Sequence, residues 1–102
     1  MEQKPDRLGN IVDNLMASLG LKKSFHGWQV VEKWPDIVGK DIAKISRAIR
    51  FQDGILTVIV EQDAWRQELE MQREEILIKI RRRRGGKAVD KIFLKAGSIR
   101  EN

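Results

Sequence analysis

The sequence predicts an α+β fold in the order α-α-β-β-α-β, with a three-stranded sheet covered by helices on one face. Three observations carry that prediction. Helical apolar periodicity runs from Leu8 to Ile45. Two alternating stretches flank Asp53-Gly54, a dipeptide suited to a two-residue type I′ hairpin loop, which needs positive φ at both positions. A charged helical stretch opening near Trp65 then precedes one more short extended segment.

In the first helix Leu8, Ile11, Val12, Leu15, Met16 and Leu19 form one apolar stripe, and Gly20 is a natural stop. Ser24 is placed to cap a second helix whose stripe includes Phe25, Trp28 and Val31. Gly27 weakens the start of that helix by roughly 1 kcal/mol relative to alanine. Pro35 cannot donate to residue 31 and disfavours helical geometry at Trp34, so a break is expected there. Pro35 then opens a stretch in which Val38, Ile42 and Ile45 continue the core face.

The Asp53-Gly54 loop sets the hairpin register. Gln52 falls opposite Ile55, Phe51 opposite Leu56, Arg50 opposite Thr57, and Ile49 opposite Val58. Ile49, Phe51, Leu56 and Val58 then share a dry face, while Arg50, Gln52 and Thr57 share a wetter one. Asp63 is expected to cap one long helix with a buried stripe of Trp65, Leu69, Gln72, Ile76 and Ile80. Arg81 to Arg84 finish it, where cations favour the dipole, and Gly85-Gly86 stop it. Val89 to Lys95 reads as the last strand, reached by a right-handed crossover if it lies parallel to its neighbour. The expected structural core is Trp34, Val38, Ile42, Phe51, Leu56, Val58, Trp65, Leu69 and Ile76. Residues 1–7 are expected as a flexible tail, 8–96 as a single domain and 97–102 as a second tail.

The chain has 102 residues, enough for one domain that buries roughly 65% of its unfolded surface. It has no cysteine, which excludes disulfides and thiolate metal sites, and its one histidine, His26, leaves a zinc ion only carboxylates. No metal and no cofactor are expected. Met1 to Leu8 has no apolar core of signal-peptide length, and nothing approaches the roughly 20 apolar residues that span a bilayer. A cytoplasmic protein with no membrane partner, free or associated with the nucleoid, is expected.

Charge is uneven. Residues 1–78 carry 11 Lys and Arg against 13 Asp and Glu, a net −2, whereas residues 79–100 carry nine cations against Asp90 alone, a net +8. Clustered cations attract a polyanion better than dispersed ones, because their fields add within a Debye length of about 8 Å. Arg81-Arg82-Arg83-Arg84-Gly85-Gly86-Lys87 is the strongest binding feature, since arginine forks match phosphate geometry and glycine amides approach anions unobstructed. The plainer reading is a well-terminated helix end, but four consecutive arginines exceed what that requires. Nucleic-acid contacts are therefore expected at Lys79, Arg81, Arg82, Arg83, Arg84, Lys87 and Lys91. Phe93 is the only ring nearby, so stacking readout has little support and sequence-specific recognition none.

Catalytic machinery is not evident. His26 has no cysteine partner, the carboxylates Asp36, Asp41, Glu74 and Glu75 read as solvated charge, and both nucleotide-binding glycine motifs are absent. No enzyme activity and no small-molecule substrate are expected. Trp28, Met71 and Ile78 are candidates for a partner contact. Met71 and Ile78 either pack under the first helix or form an apolar docking strip.

The run from Trp34 to Lys44, the hairpin segment Asp53 to Val58 and the segment Ala64 to Leu69 together resemble the DciA family of bacterial replicative-helicase partners. The resemblance covers roughly residues 8–95. It implies a KH-like fold, binding to the replicative DNA helicase, assistance in loading that helicase on DNA, and sequence-nonspecific affinity for single-stranded or duplex DNA. It brings no catalytic residues. Many members continue into a C-terminal extension that this chain lacks, so a helicase contact made there is not expected here. A G-x-x-G loop between two helices, with which KH domains clamp nucleic acid, is also missing; Gly85-Gly86 stands before the last strand instead. Two alternatives remain open: a KH-like RNA-binding protein outside replication, and a protein adaptor whose arginines face an acidic partner.

Overall fold

The computed structural model of the chain describes residues 7–100. Five α-helices and three strands follow in the order α1 (Arg7–Ser18), α2 (Lys22–Val38), α3 (Lys40–Ile45), β1 (Ser46–Gln52), β2 (Ile55–Val60), α4 (Asp63–Met71), α5 (Arg73–Arg82) and β3 (Lys91–Ala96), with a 3₁₀ turn at Gly86–Ala88 before β3. The sheet order is β1-β2-β3, antiparallel between β1 and β2 and parallel between β2 and β3. This is the expected α+β class. α2 lies on β1, α4 and α5 reach β3, and α1 lies on α2.

Alternation explains why only one sheet face is dry. Leu56, Val58 and Val60 are fully buried, and Ala48, Phe51, Ile92 and Leu94 join them beneath the helices. Trp34 is 1% exposed. Its Nε1–H donates to Ser46 Oγ at 3.0 Å, and that hydroxyl donates to the Ile42 carbonyl at 2.6 Å. The chain thus buries this indole without leaving its polar atom unpaired. Asp53 and Gly54 both take positive φ, as the hairpin loop requires. Gly20, at φ 74°, closes α1 in a Schellman arrangement, with its N–H on the Ala17 carbonyl and that of Leu21 on the Met16 carbonyl.

Several expectations are corrected. α2 runs through Pro35 to Val38, and the break falls at Gly39. Trp34, Ile37 and Val38 straddle the proline at helical spacing and are all buried, so packing holds the helix across the lost hydrogen bond. Ser24 lies inside α2, which starts at Lys22 after an uncapped Leu21. Gly27 is a contact rather than a weak point: it is buried, and a Cβ there would overlap the Phe51 ring. The hairpin register holds from Gln52 to Arg50 and then slips, because Ile49 bulges out and Ala48 pairs with Val58. Ile49 therefore leaves the dry face and is 38% exposed.

The expected long helix is two helices divided at Gln72, although neither glycine nor proline stands there. Asp63 sits in the first turn of α4 rather than at its cap, which is Gln62. There its carboxylate accepts from Arg66 Nε at 2.6 Å and Gln67 Nε2 at 2.9 Å. Trp65, expected in the core, is 46% exposed. It lies a full turn before Leu69, the only buried residue of a nine-residue helix whose course is reset at Gln72. Ile42 is half-buried against the core. Of the expected stripe in α1, Val12 and Met16 are half-buried, whereas Ile11, Leu15 and Leu19 are over half exposed; the side chain of Leu8 lies outside those described.

α1 begins at Arg7, inside the expected tail; the rest of that tail, and residues 101–102 of the other, lie outside the described residues. After β3, Gly97 N–H donates to the Val60 carbonyl at 3.1 Å, and Arg47 Nη1 reaches the Ile99 carbonyl at 3.3 Å.

Candidate nucleic-acid interface

The end of α5 is built by its glycines. The helix stops at Arg82, not Arg84. Gly85 takes a left-handed φ of 79°, and Gly86 turns back so tightly that a Cβ would overlap the Ile80 carbonyl oxygen. Arg81 Nη1 then donates to the Lys87 carbonyl at 3.4 Å and to the Val89 carbonyl, pinning the turn that leads into β3. Arg84 points the other way. Its Nη2 donates to Asn10 Oδ1 at 3.1 Å and lies 3.7 Å from Asp13 Oδ2, while Gly9 of α1 packs against the guanidinium. Asp13 also meets His26 Nε2 at 3.0 Å. The hydrogen bond from His26 holds the Asp13 carboxyl below its ordinary value of 3.8, with Arg84 and Lys22 adding to that effect.

Two of the four arginines expected to meet phosphate thus also have partners within the fold. Arg81 and Arg84 are engaged in holding the 3₁₀ turn and α1. Arg82, Arg83, Lys79 and Lys87 are exposed, and they form no ion pair among the described residues. Arg83 and Arg84 border a groove of about 590 Å³ between α1 and α2. Asp13, Glu32 and Asp36 line the same groove, so acids dilute its positive field.

A second cationic region lies on the uncovered sheet face, where strand pairing builds three rows. Arg47, Ile59 and Lys95 form one, Arg50, Thr57 and Phe93 the next, and Gln52, Ile55 and Lys91 the third. Lys91, expected with the arginine cluster, belongs here instead. Arg50 Nη2 donates to Gln52 Oε1 at 2.9 Å, which extends its guanidinium along the strand. A shallow concavity of about 630 Å³ opens over the second and third rows and is bordered by Arg73 of α5; Asp53 is the one acid among its lining residues. Phe93 stands over it 54% exposed. The sequence signal was the alternation of Lys91, Phe93 and Lys95 against Ile92 and Leu94, with the wetter side of the hairpin. It could be read only once β3 was known to lie beside β2.

Trp28 is 49% exposed, Met71 81% and Ile78 50%, so Met71 does not pack under α1 and half of Ile78 is open to solvent. Among the described residues no three His, Asp or Glu side chains are grouped to hold a metal ion, and no helix is long and apolar enough to cross a membrane.

Fold and surface define a small α+β domain with one helix-covered sheet face and two cationic regions. The chain belongs to the DciA family: the family model described as "Dna[CI] antecedent, DciA" matches residues 7–94. It is 30% identical over 79 residues to a UPF0232 protein of Rhodococcus jostii (strain RHA1), covering 78% of this chain and 42% of that protein. It is 32% identical over 76 residues to UPF0232 proteins of Mycolicibacterium smegmatis and Mycobacterium tuberculosis (strain ATCC 25618 / H37Rv), covering 74% of this chain and 39% and 41% of those relatives. The chain therefore spans less than half the length of these relatives.

Proposed function

We propose that the chain is a non-enzymatic adaptor that binds the bacterial replicative DNA helicase and nucleic acid, and that it assists helicase loading in the cytoplasm, at the nucleoid. Membership of the DciA family over residues 7–94 is the observation that carries this reading. The cationic surfaces support its nucleic-acid half. Arg82, Arg83, Lys79 and Lys87 at the end of α5, with Lys91 on the sheet, offer charge to phosphates without base-specific geometry. Arg81 and Arg84 act through the fold that presents them. For the helicase half, Trp28, Met71 and Ile78 provide exposed apolar side chains of the kind that anchor protein contacts.

The test is a pull-down of the host replicative helicase by the full chain at micromolar concentration, paired with DNA titrations at two salt concentrations. Helicase recovery and DNA affinity that falls as salt rises are expected. Absence of helicase from the pull-down overturns the adaptor reading. In crosslinked cells, rRNA or mRNA in place of chromosomal DNA would make the chain an RNA-binding protein.

A further inference from the structure

We infer that the open face of the sheet is a platform for single-stranded DNA, with Phe93 stacking on a base and Arg50, Lys91 and Lys95 receiving the flanking phosphates. The inference rests on the nucleic-acid half of the proposed function, and adds the surface and the strand state.

Phe93 has no role in folding that its position explains. Its neighbours Ile92 and Leu94 are 2% and 4% exposed and point into the core, so strand alternation turns the ring to solvent, where it is 54% exposed. An uncovered sheet face ordinarily carries polar residues there. Cations surround this ring instead. Lys91 and Lys95 lie two residues to either side along β3, about 7 Å away, and Arg50 is two strands across in the same row, about 10 Å away. Lys91 and Lys95 make no ion pair among the described residues, and the nearby Asp90 is already paired with Lys23 at 3.0 Å. The half-buried Ile55 and Ile59 and the hydroxyl of Thr57 fill the sheet between the cations.

An exposed aromatic face flanked by cations suits a ligand that alternates flat rings with phosphates. Duplex DNA offers the phosphates but keeps its bases stacked on one another, whereas a single strand can present a base to the ring. Because every base has a π-face, such contact tolerates any sequence. The rings nearest the end of α5, Phe25 and His26, are partly buried, and His26 is held by Asp13, so that region attracts either strand state without an exposed ring to distinguish them.

The experiment is fluorescence anisotropy of the full chain with labelled oligothymidylate, oligouridylate and a DNA duplex, at two salt concentrations. Phe93→Ala is expected to weaken oligothymidylate binding about tenfold, as loss of one stacked base implies, and Phe93→Trp to retain it. Lys91→Ser with Lys95→Ser is expected to reduce the salt slope for the single strand by about 1.4. Circular dichroism confirms that each variant is folded, and Phe93→Leu separates loss of the aromatic ring from loss of apolar bulk. If oligothymidylate binds but ignores Phe93 and the two lysines, while Arg82→Ser with Arg83→Ser abolishes binding, the platform is overturned and the nucleic-acid reading stands. Equal loss of duplex and single-strand affinity in Phe93→Ala also overturns it. Tighter, Phe93-dependent binding of oligouridylate overturns DNA as the occupant. No binding to any of the three oligonucleotides by the unaltered chain at low salt overturns the nucleic-acid half of the proposed function itself.

Discussion

The end of α5 and the open sheet face are both rich in cations, yet they hold their charge differently. At the end of α5, Arg81 is occupied by the carbonyls of Lys87 and Val89, and Arg84 by Asn10 and Asp13. On the sheet, Lys91 and Lys95 project from a strand whose other side is buried, and no acid among the described residues pairs with them. A run of like charge in a sequence is therefore not the same as charge available to a partner. Tight turns expose carbonyls, arginines satisfy them, and the denser cluster becomes partly structural.

The largest expected effect is on the core that both regions share. Trp34→Ala is expected to lower stability by about 3–5 kcal/mol in denaturant melts, because it opens a cavity and removes the donor to Ser46 Oγ. It should disable both regions together. Trp65→Ala, at a half-exposed ring, should cost no more than about 1 kcal/mol.

Gly86→Ala follows. A Cβ meets backbone at the Ile80 carbonyl and not a side chain that could move. A loss of more than about 2 kcal/mol is expected, with the turn after α5 displaced. Stability unchanged by this substitution would mean that the turn is not the tight structure described.

Arg81→Ser and Phe93→Ala each act on one region alone. Arg81→Ser removes charged hydrogen bonds to two carbonyls and should cost about 1–2 kcal/mol of stability. Phe93→Ala should change stability by less than about 1 kcal/mol, because its ring is already half in water. If the two ranked the other way, the structural and binding roles assigned to the regions would be exchanged.

The smallest effect concerns pH. The folded pKa of Asp13 is lowered, chiefly by the hydrogen bond from His26. Its contribution is therefore fully present above the unfolded carboxylate value of about 4 and is lost as pH falls through the lower folded value. Thermal melts of the unaltered chain and of Asp13→Asn should differ at pH 6 and converge in the acid range. A difference that persisted once the carboxylate is protonated would show that its charge is not what holds α1.

Much of this molecule was legible in the sequence where the signal is local. The positive-φ loop at Asp53-Gly54, the stop at Gly20 and the burial of Leu56 and Val58 follow from residue type and short-range periodicity. Pro35 misled because buried neighbours on both sides outweighed one missing hydrogen bond. Ile49 misled because a bulge changes parity without leaving a mark in composition. Trp65 misled because a large ring on a helical stripe reads as core until the helix is seen to end at Met71. The sheet face was legible only in halves. Arg50 and Thr57 appeared on the wetter side of the hairpin, and Lys91 and Phe93 more than thirty residues later, with the parallel pairing of β2 and β3 needed to join them.

The most direct test is amide NMR of the full chain during titration with oligothymidylate. The largest shift changes are expected at Arg50, Thr57, Lys91, Phe93 and Lys95, with residues 81–87 moving far less. Changes concentrated at Arg81 to Lys87, with the three sheet rows unmoved, would rule out the sheet face as the binding surface.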